Sequence, residues 1–129
     1  MPEKIKVALV GLGNCFSGLI QGIEYYSKNP SQKVTGIIHE NLRDYTIHDI
    51  EFVAGFDVGA NKVGKPINDA IYESPNMVNW IDKNDMPKAN GNVYESPALD
   101  GVGIWVENKV KPIESGKSES ELREEIIKV

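Results

Sequence analysis

Residues 4–26 read KIKVALVGLGNCFSGLIQGIEYY, an apolar run, a pair of glycines and a helical apolar spacing in succession. Ile5, Val7, Ala8, Leu9 and Val10 make a short unbroken apolar run, the pattern of a buried parallel strand. Gly11 stands where the run stops, so the chain can turn sharply there. Gly13 then offers no side chain to obstruct a phosphate. Apolar residues return at helical spacing: Cys15, Leu19, Ile23 and Tyr26 share one face, Phe16 and Ile20 lie beside it, and Gln21 and Glu24 point away. The order is strand, glycine turn, helix. A helix that starts at the glycines aims its first backbone N–H groups and the positive end of its dipole at them, which favours a bound pyrophosphate. The motif departs from GxGxxG, because position 16 is Phe16 and the next glycine is Gly18. Glycines after a strand can also make nothing more than a tight turn, so the rest of the chain has to discriminate.

At 129 residues the chain has the length of about one domain, enough to bury a core. Hydrophobic residues are 40% and charged residues 26%, the balance of a soluble globular protein rather than of a disordered or fibrous one. Nineteen acids against 14 bases give a net charge of -5, with no basic cluster, which argues against nucleic acid or an anionic membrane as a partner. A single cysteine cannot build a disulfide framework, and the N-terminus has no charged segment leading into a signal-peptide core. The expected location is cytoplasmic. No apolar run approaches the roughly 20 residues that span a bilayer.

From Ser27 to Asp49 the chain is polar and turn-forming, with Gly36–His39 an isolated apolar island, and reads as a long excursion. His39 and His48 lie in it at no zinc-ligand spacing, with no second cysteine to join them, so no metal site is expected. Glu51–Phe56 then reads as a second parallel strand ending in Asp57-Val58-Gly59. In a dinucleotide site the acid at the end of the second strand accepts hydrogen bonds from the adenosine ribose, and Asp57 stands in that place. Its charge favours NAD over NADP, since a 2′-phosphate would be repelled and only Lys62 and Lys65 follow. The acid usually comes about 20 residues after the glycines. Here the gap is about twice that, which requires the excursion to be an insertion between helix and strand. The alternative reading of Asp57 is a turn former or helix cap.

Asn61–Gly64 reads as a turn, and Asn68 or Asp69 as the start of a short helix through Tyr72. Residues 76–92 have no defensible period, and Val93-Tyr94 suggests a third strand. Leu99-Asp100-Gly101-Val102-Gly103 leads into Ile104, Trp105, Val106 and Val110, read as a helix near the strand ends. Asp100 is there either a site residue or the cap of that helix. Ser118-Glu119-Ser120-Glu121 is a capping box before a final helix that is still apolar at Val129. The expected fold is α/β and Rossmann-like, a mostly parallel sheet with flanking helices in which the strand Lys6–Val10 is central. It is expected to be incomplete at the C-terminus.

Lys6–Tyr26, Gly36–His39 leading through Tyr45 and His48-Asp49 into Phe52–Val58, Lys62-Val63-Gly64 and Leu99–Gly103 resemble the prokaryotic type of inositol-3-phosphate synthase. The resemblance covers nearly the whole chain, and its departures concentrate at residues 76–95. It accounts for two oddities, because that family uses GxGN in place of GxGxxG and carries the same insertion. It implies an isomerase that converts D-glucose 6-phosphate to 1L-myo-inositol 1-phosphate, for phospholipid and solute synthesis, with tightly held NAD reduced and reoxidised in each turnover. It also implies a homo-oligomer at full length. Residues 1–129 would be the N-terminal part of the NAD-binding domain, and the largely lysine catalytic groups would belong to a C-terminal domain that this segment lacks. The segment alone is then expected to be inactive, with no catalytic residue assigned to it. Carried over position by position, the resemblance puts Gly11, Gly13, Asn14 and Cys15 at the pyrophosphate, Asp57 and Val58 at the adenosine, and Asp100 and Gly101 nearby. Two other readings are a free-standing NAD-binding module and a fragment of another NAD-dependent dehydrogenase.

Overall fold

A computed structural model describes residues 3–30, 35–89, 91–114 and 116–129. The apolar run becomes β1 (Ile5–Val10), and after the glycine turn the chain enters α1 (Asn14–Lys28). The excursion follows; its residues 31–34 lie outside the described ones. It closes on a single helical turn, Ile47–Asp49, whose N-cap Thr46 and Asp49 form a reciprocal capping box, and delivers the chain into β2 (Ile50–Asp57). A one-turn α2 (Ile67–Ala70), a second single helical turn Lys83–Asp85, β3 (Asn92–Glu95) and α3 (Glu119–Lys128) complete the order.

The sheet is β1-β2-β3 and parallel throughout. Strands β1 and β2 are therefore parallel neighbours, as the two buried-strand patterns predict, but β2 rather than β1 holds the centre. The reason is that Asn92–Glu95 adds to the far side of β2, pairing Ala54 with Asn92 and Asp57 with Glu95. Register shifts between Val7 and Ala8: Val7 faces Phe52, whereas Ala8 faces Ala54 and Leu9 faces Gly55. One extra residue in β2 exchanges the faces of everything after it. It leaves Gly55 and Asp57 on the face that Leu9 shares, and Ala54 and Phe56 on the other.

Two layers cover the sheet. Leu9, Leu12, Ile20, Ile67, Ala70, Ile71 and Val93 form the main core, with Val7, Phe16 and Phe52 packed against it. On the opposite face Ala54 and Phe56 are covered by Leu122 of α3, a helix opened by the expected capping box of Ser118 and Glu121.

Helix α1 turns a different face inward from the one its apolar spacing predicts. Ser17, Ile20 and Gln21 are its buried residues, while Cys15 and Leu19 are exposed. The cause is the irregular segment 76–81 running beside it, whose backbone groups have no strand or helix to pair with. Gln21 satisfies them: its Nε2 donates to Val78 C=O at 3.0 Å and to Ser17 Oγ at 2.9 Å, and its Oε1 accepts from Trp80 and Ile81 N–H at 2.8 and 3.2 Å. A buried amide with every group paired outcompetes a purely apolar stripe here. The helix expected after Leu99 is also absent. Gly101 has φ +78°, and residues 103–110 make isolated turns closed by bonds such as Val106 N–H to Gly103 C=O. With Ile104 and Trp105 69% and 88% exposed, no buried face supports a helix there.

Candidate functional site

The carboxyl ends of β1 and β2 meet at the glycine turn. Gly11 has φ +82°, a left-handed conformation that any side chain would strain, and its N–H donates to Phe56 C=O at 2.7 Å. That bond fastens the end of β1 to the end of β2. Leu12 is fully buried over Gly55, where an added Cβ would come within 2.8 Å of a Leu12 methyl. Gly13 is the N-cap of α1, with no side chain capping it and nothing within 4 Å of where a Cβ would stand. Space is thus open in front of a 15-residue helix's N-terminus, where the dipole favours an anion.

Asp57 is 8% exposed, and its carboxylate already has structural work. Oδ2 accepts from Leu12 N–H at 2.7 Å and Oδ1 from Gly59 N–H at 2.8 Å, so the acid bridges the glycine turn to the turn after β2. Each carboxylate oxygen keeps a second lone pair, and Asp57 lines a cleft of about 400 Å³ together with Val10, Gly11, Val58, Leu99 and Asp100. Ser96, Pro97 and Leu122 close the same cleft. No lysine or arginine lines it among the described residues. Val58 is held by the returning chain, since its C=O accepts from Ile113 N–H at 2.9 Å.

The expected site residues therefore divide. Gly11, Asp57, Val58 and Asp100 share the cleft, with Gly101 the next residue along. Gly13, Asn14 and Cys15 lie at the mouth of α1 outside that lining, all exposed. Asn14 Oδ1 accepts from Met77 N–H at 2.8 Å, so its side chain pins the segment after Pro75 to the start of the helix.

Two residues that carry no sequence signal for the turn also belong to it. Lys62 is 4% exposed, turned inward rather than offered to a 2′-phosphate. Its Nζ donates to Leu12 C=O at 2.7 Å and to Asn76 Oδ1 at 3.1 Å, and lies 3.8 Å from Asp57 Oδ2. Burial holds this ammonium below the usual lysine range, against the opposing pull of Asp57 and Glu73. Asn76 Nδ2 donates to the same Leu12 C=O at 2.9 Å. No local pattern announces a lysine that reaches 50 residues back to a backbone carbonyl. Lys65, the other nearby cation, pairs with Glu73 at 2.7 Å.

A parallel sheet, a glycine turn at the end of β1 and an acid at the end of β2 together define a Rossmann-like α/β fold. Comparison with known proteins narrows this. The chain is 48% identical over 100 residues to inositol-3-phosphate synthase of Corynebacterium glutamicum, covering 77% of this chain and 27% of that protein. It is 40% identical over 109 residues to inositol-3-phosphate synthase of Mycobacterium tuberculosis, covering 84% of this chain and 29% of that one. The crystal structure of a myo-inositol-1-phosphate synthase-related protein from Thermotoga maritima superposes with a TM-score of 0.70 at 21% identity, over 98% of this chain and 31% of the other, and shares the fold. No family profile matches the chain. The resemblance to inositol-3-phosphate synthase is thus shown, and the chain spans under a third of the length of these relatives.

Proposed function

We propose that residues 1–129 are the NAD-binding portion of an inositol-3-phosphate synthase acting in the cytoplasm on D-glucose 6-phosphate, within a homo-oligomer at full length. The observation that carries this reading is the cleft that Gly11 and Asp57 share at the carboxyl ends of adjacent parallel strands, the position at which doubly wound folds take their ligands. Bound NAD supplies acceptance and return of a hydride on the sugar. The residues of this segment hold the dinucleotide and orient it. Gly11 and Gly13 let the pyrophosphate approach backbone N–H groups at the start of α1. Asp57 directs its remaining lone pairs at the ribose hydroxyls, and Val58, Asp100 and Gly101 border the adenosine. The acidic, cation-free lining favours NAD over NADP. Catalytic groups are assigned to a further domain that these residues do not include.

Calorimetric titration tests the reading. NAD should bind and NADP bind more weakly, and Asp57→Ala should cost on the order of 1–3 kcal/mol of NAD affinity while narrowing that preference. Absence of NAD binding, or an Asp57→Ala variant indistinguishable from wild type, removes the assignment. With glucose 6-phosphate and NAD supplied, residues 1–129 alone should form no inositol phosphate; turnover would place catalytic residues inside this segment.

A further inference from the structure

The buried ammonium of Lys62 sits in the core of the turn, and the dinucleotide reading leaves its role unexplained. It faces inward, 4% exposed, with its Nζ donating to Leu12 C=O and Asn76 Oδ1 rather than to the open space before the helix. Its partners all belong to the apparatus of the turn. The Leu12 C=O accepts from both Lys62 Nζ and Asn76 Nδ2, at 2.7 and 2.9 Å. The Leu12 N–H is taken by Asp57 Oδ2 at 2.7 Å, and that oxygen is 3.8 Å from the same ammonium. Both polar groups of the residue between the two glycines are therefore gripped, one by an anion and one by a cation and an amide. The two grips are tied to each other through the Asp57–Lys62 contact.

Glycines on either side make such a grip necessary. A Gly-Leu-Gly turn has wide backbone freedom, and anion binding at a helix N-terminus depends on where its N–H groups point. Burying a lysine costs free energy, which persists only where its hydrogen bonds and an opposing charge offset it. Gly59, which bonds Asp57 Oδ1, begins the turn that carries Lys62, since Lys62 N–H donates to Gly59 C=O at 3.0 Å. One short turn thus supplies both the backbone that orients Asp57 and the cation that orients Leu12.

We propose that Lys62, with Asn76 as its second, is a positioning residue that holds the Gly11–Gly13 turn in its pyrophosphate-binding geometry through the Leu12 carbonyl. The proposal rests on the dinucleotide reading above and adds a residue that acts through the turn without touching the ligand.

The test separates pyrophosphate from adenosine recognition. Wild type and Lys62→Met, which keeps the apolar stem and removes the ammonium, are titrated with ADP-ribose and with adenosine, followed by NMR. Lys62→Met should bind ADP-ribose at least about tenfold more weakly, the worth of one hydrogen bond to a charged group. Adenosine affinity should fall several-fold less, because Asp57 keeps its bonds to Leu12 and Gly59 N–H, a selectivity that general loss of structure would not produce. Equal ADP-ribose affinity in the two proteins, or equal losses for both ligands, overturns the proposal and leaves the dinucleotide reading standing. A wild type that binds neither ligand overturns both. Should Lys62→Met not fold, Asn76→Ala carries the same comparison: selective weakening towards ADP-ribose supports the positioning role, and unchanged binding overturns it.

Discussion

Replacing Gln21 by leucine isolates the polar contribution of the clamp between α1 and the segment after Pro75. The two side chains are close in volume, so little cavity forms, and the loss falls on hydrogen bonds. Gln21 is fully buried and makes four of them. Ser17 Oγ keeps its bond to Ile71 C=O at 3.1 Å, but Val78 C=O and the N–H groups of Trp80 and Ile81 lose their partner. A buried polar group left unpaired costs about 1–3 kcal/mol, so three would sum to several times that if all stayed dry. Trp80 is 74% exposed, which admits water to the outer two donors. The expected destabilisation is about 2–4 kcal/mol, close to one full penalty plus two reduced ones. Urea unfolding followed by far-UV circular dichroism measures it, as a lower midpoint at unchanged slope. A loss below about 0.5 kcal/mol, the scale of an ordinary surface change, would refute the claim that this amide holds the segment.

Leu122→Ala removes the buried contact of α3 with Ala54 and Phe56 and should cost about 2–4 kcal/mol in urea unfolding, with loss of α3 helicity. Gly55→Ala drives a methyl towards Leu12 in a packed interior and should destabilise by about 1–3 kcal/mol by thermal melting; a neutral result would mean that Leu12 can move aside. The Glu121 carboxyl is held below its usual value of 4.5, first by the Ser118 N–H and then by the Ser118 hydroxyl. The folded form thus releases its proton at lower pH than the unfolded form. Its contribution to the α3 cap is complete above pH 4.5 and is lost as the pH falls through the folded value. Glu121→Gln should abolish that acid step in α3 helicity.

The strands and the turn are legible in the sequence because their signals are local: an apolar run, two glycines and an acid after a second run. Ser118–Glu121 is likewise a four-residue signature. The inward face of α1 is not legible, because the deciding partners are backbone groups at positions 78–81, far along the chain. Gln21 looks like a surface residue until those groups are beside it. Strand order depends on where Asn92–Glu95 adds to the sheet, and four residues carry no such instruction. The glycine turn is recognisable by its flexibility, while what restrains it, Lys62 and Asn76, comes from 50 and 64 residues away. Asp57 reads as a ligand group, and its bonds to Leu12 and Gly59 give it a structural duty beside that proposed role.

If the turn between β1 and α1, together with the end of β2, receives a dinucleotide, NAD must perturb the backbone amides there. Titrating the 15N-labelled chain with NAD and following every backbone amide tests it most directly. Saturable shifts are expected at Gly11, Leu12, Gly13, Asn14 and Cys15 and at Asp57 and Val58, with the turn at Lys83–Asp85 unmoved. Shifts confined to the shallow hollow that Gly22, Tyr25, Tyr26 and Trp80 line on the outer side of α1, or no saturable shift at the glycines, would rule out a dinucleotide at the turn.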